Sequence, residues 1–449
     1  MPTLNWLRNA VLNPGGDTLR NAIFAGRYEN FCVLIFQILL DQRRFIVYNL
    51  CSQRRLMEKF RTTKSIRSFF NKLRDDYQKV NPRCAHFSEC GGCSFQNISY
   101  EDQLDMKFRF LSELFDDQFD LEPQIHPSPQ PFYYRHRMDY TCAFSRIGLR
   151  RRGDYTEVID LNECHLISQR AVELFMFIKK RIRELEIRDY DFLEHEGFLR
   201  YVVFREAKFT DDLMVIFTTA NPPSVLQQER LLQLMDDTLE KAASVYWLKH
   251  EKLSNHSYGD TVKYLGAPYI IERLREYQFI IKPDTFFQSN PLLIRRAYDD
   301  IKENAHGKAL DLYCGAGTIS IYISDACKHI TGVELVNSSV EAARENARLN
   351  GLENALFFAE DVAEFLKGKH HFDVIVIDPP RAGMSKKIIR RIKRIAPKRI
   401  VYMSCNPVTQ LNDLMRLSDE YKLERPIRAY DMFPQTYHIE TVAVLSRRC

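Results

Sequence analysis

The chain lacks an apolar run long enough to cross a bilayer. The longest, residues 31–40, runs straight into Asp41, Gln42, Arg43 and Arg44, whereas a spanning helix needs about 20 apolar residues. No membrane partner is expected. A secretory signal is lacking too, because that run has no cleavage site after it and starts about thirty residues in. Eleven cysteines in 449 residues without such a signal argue against a disulfide framework. They point to a reducing, cytoplasmic setting and to thiols used for metal binding or catalysis. Internal repeats and low-complexity tracts are absent, which argues against solenoids and biased linkers. A large charge surplus is also missing: 64 Lys and Arg against 59 Asp and Glu leave +5, so the total says little about partners.

The distribution of charge says more. Residues 51–83 hold ten Lys and Arg against three acids, and Arg135, Arg137, Arg146 and the run Arg150, Arg151, Arg152 follow. Such patches favour partners that carry phosphate, against the plain alternative of a solvated helix face. The length suggests about three domains. Residues 1–80 are the least legible, with a turn at Asn13-Pro14-Gly15-Gly16, a strand or buried helix at 31–40 and a basic helical pattern over 52–77. Residues 81–285 read as an α+β domain: a helix over 96–114, a proline-rich boundary at 125–131, a hairpin over 146–157 with Gly148 and Gly153 near its turns, strands at 199–204 and 213–218, a helix over 222–243 and a loop at 255–266.

From residue 307 onward, strands and helices alternate, which specifies a doubly wound, mostly parallel α/β sheet. Strands are expected at 308–313, 329–335, 355–359, 372–377, 399–404 and 438–445, with helices over 318–327 and 338–349. The loop after the first strand, Asp311 to Gly317, is D-x-x-x-G-x-G and not the G-x-G-x-x-G of dinucleotide folds. Glu334 closes the second strand, where it can accept both hydroxyls of a ribose. Glu360-Asp361 closes the third. This set suits S-adenosylmethionine better than NAD.

Cys405 follows the strand 399–404 at Ser404-Cys405-Asn406-Pro407. By default a free cysteine is a small buried hydrophobe. At the carboxyl end of a strand in such a sheet it also stands where ligands bind. A thiolate that adds to C6 of a uracil makes C5 nucleophilic toward the methyl of a sulfonium. A base must then remove the C5 proton so that the cysteine can leave. Cys405 could be the thiolate, Asp378 the polar group on the pyrimidine edge, and Glu440 the base. Asp378 stands in Asp378-Pro379-Pro380-Arg381, and the arginine disfavours the amino-group methylation that D-P-P followed by an aromatic signals. In residues 280–290, Phe286, Phe287, Gln288 and Asn290 could stack a flat ring and bond its edge. Upstream, Cys84-x5-Cys90-Gly91-Gly92-Cys93 suits a metal, Cys164 is the best fourth ligand, and spacing alone leaves zinc and iron–sulfur open.

With DLYCGAG, DPPRAG, SCNP, FFQSN and HIE in order behind C-x5-C-G-G-C, the chain resembles the S-adenosylmethionine-dependent RNA 5-methyluridine methyltransferases from about residue 81 to its end. The resemblance implies a class I (Rossmann-like) methyltransferase domain over 286–449, preceded by a central iron–sulfur and RNA-binding domain over 81–285. Within the latter, residues 96–127 would pack on the catalytic domain. It implies Cys405 as nucleophile, Glu440 as base and cofactor contacts at Gln288, Tyr313, Glu334 and Asp378, the last also facing the uracil. It further implies a [4Fe–4S] cluster on Cys84, Cys90, Cys93 and Cys164. The four-cysteine set looks like the ribosomal branch, so 23S rRNA is the expected substrate of a monomeric enzyme. The alternatives are transfer RNA, or an inactive cluster-bearing RNA-binding protein. The small RNA-binding TRAM barrel of some members is not recognisable in residues 1–80, of which 1–56 could be an extension.

Overall fold

A computed structural model describes residues 59, 60, 62–119, 122–424 and 426–448. The turn at Asn13, the run 31–40 and the start of the basic helical pattern lie outside them. The chain divides into Met1–Arg61 and Thr62–Cys449, and the helices and strands below belong to the second unit. Helix α1 (Thr63–Leu73) opens on a capping box, Thr62 and Ser65 each bonding the other's backbone N–H. Helix α2 (Tyr100–Phe119) starts four residues later than the periodicity suggests, because the Ser99 hydroxyl accepts the Asp102 N–H at 3.1 Å and so fixes the first turn.

After strand β1 (Gln124–His126) come β2 (Arg137–Ala143), β3 (Arg146–Arg151) and β4 (Asp154–Asp160), then helix α3 (Gln169–Glu184), a two-residue ladder of β5 (Tyr190–Asp191) and β6 (Glu196–Gly197), β7 (Leu199–Glu206), β8 (Leu213–Thr219), helix α4 (Val225–Leu239), β9 (Ser244–Lys249) and β10 (Asp260–Gly266). Seven of these form one sheet in the order β10-β9-β8-β7-β2-β3-β4. Two expectations fail here. Residues 255–266 are not all loop: β10 is an edge strand whose residues are mostly exposed, so no apolar alternation betrays it. Gly148 is not at a turn; it lies inside β3, where a Cβ would come within 2.1 Å of the Ile159 carbonyl oxygen of the paired strand. Gly153, at φ +83°, does make the turn.

A hairpin of β11 (Ile270–Leu274) and β12 (Tyr277–Ile281) leads to helix α5 (Pro291–Lys302). Then β13 (Gly307–Leu312), α6 (Thr318–Tyr322), β14 (Cys327–Glu334), α7 (Asn337–Leu349), β15 (Ala355–Ala359), α8 (Val362–Phe365), β16 (Val374–Ile377), α9 (Lys386–Ile395), β17 (Arg399–Ser404), α10 (Pro407–Leu417), β18 (Tyr421–Leu423), β19 (Arg428–Tyr430) and β20 (Glu440–Arg447) complete the chain. The sheet runs β1-β19-β20-β17-β16-β13-β14-β15, with β18 also on β20. β16 reads VIVI and β17 RIVYMS, buried throughout except for Arg399, as strands covered on both faces require. Helix α6 is shorter than the pattern over 318–327, since Cys327 already begins β14. β1 pairs in parallel with β19, so the proline-rich segment does not separate two domains. It brings the chain from the central region into the C-terminal sheet.

Candidate active site

Parallel strands deliver the loops that follow them to one edge of a sheet. Tyr313, Glu334, Glu360, Asp378 and Cys405 all stand at or just beyond the carboxyl ends of β13 to β17, outside the point where connections leave β13 and β16 in opposite directions. β20 runs antiparallel to β17, with Ser404 opposite Thr441. That register sets Glu440 level with Cys405. Glu440 is buried (3% exposed), while Cys405 is half-buried. From the loop before α5, the Gln288 amide donates to Asp378 Oδ2 at 3.2 Å.

The glycine loop is built from three left-handed residues: Tyr313 at φ +65°, Gly315 at +53° and Gly317 at +77°. A tyrosine in that region is strained and persists only where its surroundings hold it. Here the Tyr313 and Cys314 amides both donate to the Val333 carbonyl, at 2.9 and 3.2 Å. At Gly317 a Cβ would press on Ala343 and Phe357, whereas at Gly315 it would meet nothing within 4 Å, leaving room for a ligand beside the backbone. Glu334 borders this space, accepting from the Gly315 amide at 3.4 Å and the Val336 amide at 2.9 Å. Behind it, buried Asp311 accepts from the Ser320 amide and hydroxyl at 3.1 and 2.6 Å.

Burial dominates the electrostatics. It pushes the Cys405 thiol up to about 12, an effect that Glu440 and Asp378 add to and Arg381, bonded to the thiol, opposes. It raises the Glu440 carboxyl well above the ordinary range, with help from Asp378. Asp378 itself rises to about 7, through burial and then Asp311. The site therefore favours the protonated thiol and carboxyls, with the Arg381 guanidinium favouring the ionised forms of Cys405 and Glu440.

Three contributors escaped the sequence reading. Arg381 served there only to exclude another chemistry, although its place two prolines after Asp378 was the available signal. Asp311 was read as part of a loop pattern. His438, from the HIE motif, is buried and held down to about 4, first by desolvation and then by Arg381 and Lys107, so it is neutral near pH 7. Two expectations need correcting. Phe287 is a core residue, its ring 5.6 Å from His136 and 5.8 Å from Phe279, leaving Phe286 as the exposed ring. Asn290 ties Ser128 by a 3.0 Å bond and so anchors the segment after β1.

Of the arginines expected to meet RNA, Arg137 is bonded to Asp139 at 2.9 Å, Arg146 to Glu157 at 2.8 Å, and Arg151 to Glu157 as well. Arg150 lies over the Phe192 ring at 4.1 Å. Among the described residues, Arg135 and Arg152 have no carboxylate partner.

Cys84, Cys90, Cys93 and Cys164 line one cavity together with Gln96 and Leu149. The β3–β4 hairpin holds the loop, with the Gly91 amide donating to Arg150 O at 3.0 Å and the Arg152 amide to Glu89 O at 2.7 Å. Donors face the sulfurs: Gly92 N–H to Cys90 at 3.3 Å, the His86 amide to Cys84, Gln96 to Cys93, and Leu166, Ile167 and Tyr140 to Cys164. Burial still pushes the Cys84 and Cys93 thiols up to about 12, so four thiolates here would require a cation among them. Among the described residues no set of three or more ligands converges as a single metal ion needs. The expected [4Fe–4S] ligand set is thus gathered around one cavity, but not in an arrangement that holds a metal.

Comparison with known proteins shows the family. The family described as tRNA (Uracil-5-)-methyltransferase matches residues 261–448. The tRNA (uracil(54)-C(5))-methyltransferase of Pyrococcus abyssi is 35% identical over 375 residues, covering 83% of this chain and 88% of that one. A protein of Caldanaerobacter subterraneus described as an uncharacterized RNA methyltransferase is 34% identical over 393 residues, covering 82% and 85%. The crystal structure of the P. abyssi tRNA (uracil-54, C5)-methyltransferase in complex with S-adenosyl-L-homocysteine superposes with a TM-score of 0.69 at 33% identity, covering 79% of this chain and 86% of that one. The chain accordingly belongs to the RNA uracil-C5 methyltransferase family and is an S-adenosylmethionine-dependent enzyme with the class I methyltransferase fold.

Proposed function

We propose that the enzyme methylates C5 of a uridine in transfer RNA, with Cys405 as nucleophile and Glu440 as base. The observation that supports these roles is the register of β17 against β20, which sets Glu440 level with Cys405. Cys405 loses its thiol proton to solvent and adds to C6 of the uracil, and the C5–C6 π pair moves into an enolate over C5 and O4. Asp378, oriented by Gln288, holds the pyrimidine edge. Gln288, Tyr313, Glu334 and Asp378 border the space for S-adenosylmethionine, which supplies the methyl group on its sulfonium. Glu440 then takes the C5 proton, the C5–C6 double bond re-forms, and the Cys405 thiolate is expelled. The target ring must leave its stack to meet these groups, so an unpaired loop nucleotide is the cheaper substrate.

Transfer RNA is favoured over 23S rRNA by the named relatives, several of which act on uracil-54 of tRNA. The four-cysteine pattern supports 23S rRNA as the second reading. Purified enzyme with labelled S-adenosylmethionine and either unmodified tRNA or 23S rRNA fragments separates the two: label in tRNA is expected, and label in rRNA alone overturns the choice. We also propose that the four cysteines hold a [4Fe–4S] cluster with a structural role. Anaerobically purified protein should be brown, and colourless protein with one stoichiometric zinc would refute the assignment.

A further inference from the structure

Helix α1 lies where the sequence resemblance offers no role. Ile66, Phe69, Phe70 and Leu73 are turned at least partly inward, and the Phe70 ring packs 5.3 to 5.7 Å from Phe95 and Phe110. The outer face presents Arg67, whose Nε donates to the Tyr437 hydroxyl at 2.9 Å and whose guanidinium covers that ring at 5.3 Å. Tyr437 stands three residues before Glu440. Immediately after α1, Arg74 bonds Asn97 at 3.2 Å and keeps a buried Nε–H with no partner. Arg152 reaches over from the β3–β4 hairpin, bonds the Cys93 carbonyl and covers Phe87 at 5.5 Å. The positive charges of Arg67 and Arg74 act on Arg152, and those of Arg67, Arg135 and Arg381 act on His438. Among the described residues none of these five arginines has a carboxylate partner, while the nearby acids are taken: Asp76 faces Arg109 and Glu89 faces Arg151.

Like charges gathered without counter-charge raise the energy of the free protein, and a polyanion relieves that repulsion while releasing its own counterions. We propose that Arg67, Arg74 and Arg152 form a phosphate-binding track, leading past Tyr437 to Arg381 and Cys405, that seats the RNA backbone next to the target uridine. The proposal rests on RNA being the substrate. It gives α1 the task of gripping backbone, without base readout, beside the loop that carries the catalytic carboxylate.

The test is the steady-state kinetics of full-length enzyme on its methylated RNA at several salt concentrations. Each lost phosphate contact should lower the log–log salt slope by about 0.7, so Arg67→Glu with Arg152→Glu should cut it by about 1.4 and raise KM for RNA roughly tenfold near 0.15 M salt. The KM for S-adenosylmethionine should not move. Lys263→Glu, on the exposed edge strand β10, should change neither parameter. Arg67→Gln with Arg152→Gln, which removes charge without reversing it, should show a smaller change in the same direction and guards against misfolding of the reversal variant. An unchanged RNA KM and salt slope in both double variants, with wild-type enzyme active, overturns the track. Wild-type enzyme that methylates no RNA would instead overturn the substrate reading.

Discussion

In the proposed mechanism Cys405 and Glu440 act at different times, and their substitutions should separate accordingly. Cys405→Ala should abolish methyl transfer and form no RNA adduct. Glu440→Gln keeps size and most hydrogen bonding but accepts no proton. It should permit addition and methylation and then stall with RNA bound through Cys405, since losing a general base costs about 10²–10⁴ in rate. A denaturing gel should show a slow band carrying the methyl; if the band is missing while both substrates still bind, Glu440 is structural. Arg381 should bear on the first step, because it is bonded to the Cys405 thiol and favours its ionised form. With the thiol pushed up to about 12, only a small fraction is thiolate near pH 8, so adduct formation should rise with pH. Arg381→Met removes the one group that lowers that pKa. It should slow addition at pH 8 and move the rise to higher pH; an unshifted profile would show that Arg381 does not activate the thiol. The positions proposed for the nucleophile and the base were legible because each stands at a strand end marked by a breaker or a change in polarity. Arg381 was not, since its effect depends on a contact across two loops.

Between elements, the cysteine loop and the catalytic loop are tied directly. The Ser94 and Phe95 amides donate to the Gln435 carbonyl at 2.6 and 3.1 Å. Gln103 of α2 closes the knot, accepting the Gln435 N–H at 3.0 Å and donating to its side-chain carbonyl at 3.0 Å. The cysteine site thus sets the position of a loop that ends at Glu440 five residues later. Gln103→Leu leaves the Gln435 N–H buried without a partner, a cost of about 1–3 kcal/mol. It should lower kcat more than it alters KM for S-adenosylmethionine. Equal loss in both parameters would mean general destabilisation instead. This level was half legible. The alternation of elements predicted the parallel sheet, because βαβ units write both periodicities into the chain. The level placement of Glu440 and Cys405 was not, for it follows from inserting β20 antiparallel beside β17, and no local pattern encodes sheet order. β10 went unread because an exposed edge strand carries no buried face.

At the scale of the whole unit, the central region and the catalytic sheet share a core. α2 passes under the catalytic loop, and its Lys107 meets Asp431 at 2.5 Å with both side chains fully buried. β1 extends the same sheet, paired in parallel with β19. Desolvation pulls the Lys107 ammonium toward neutrality and the Asp431 carboxylate opposes it, so neither partner is tolerated alone. Removing one member of such a pair costs about 3–5 kcal/mol, whereas replacing both with apolar groups of similar size is often neutral. Lys107→Met should therefore destabilise the protein strongly, and Lys107→Met with Asp431→Leu should recover most of the loss. The central and catalytic regions should also unfold in one calorimetric transition, because the pair, β1 and the Gln103–Gln435 bonds all cross between them. Two separated transitions, only one of which moves in Lys107→Met, would show that the regions are energetically independent and that the cysteine site cannot steady Glu440 through their contact.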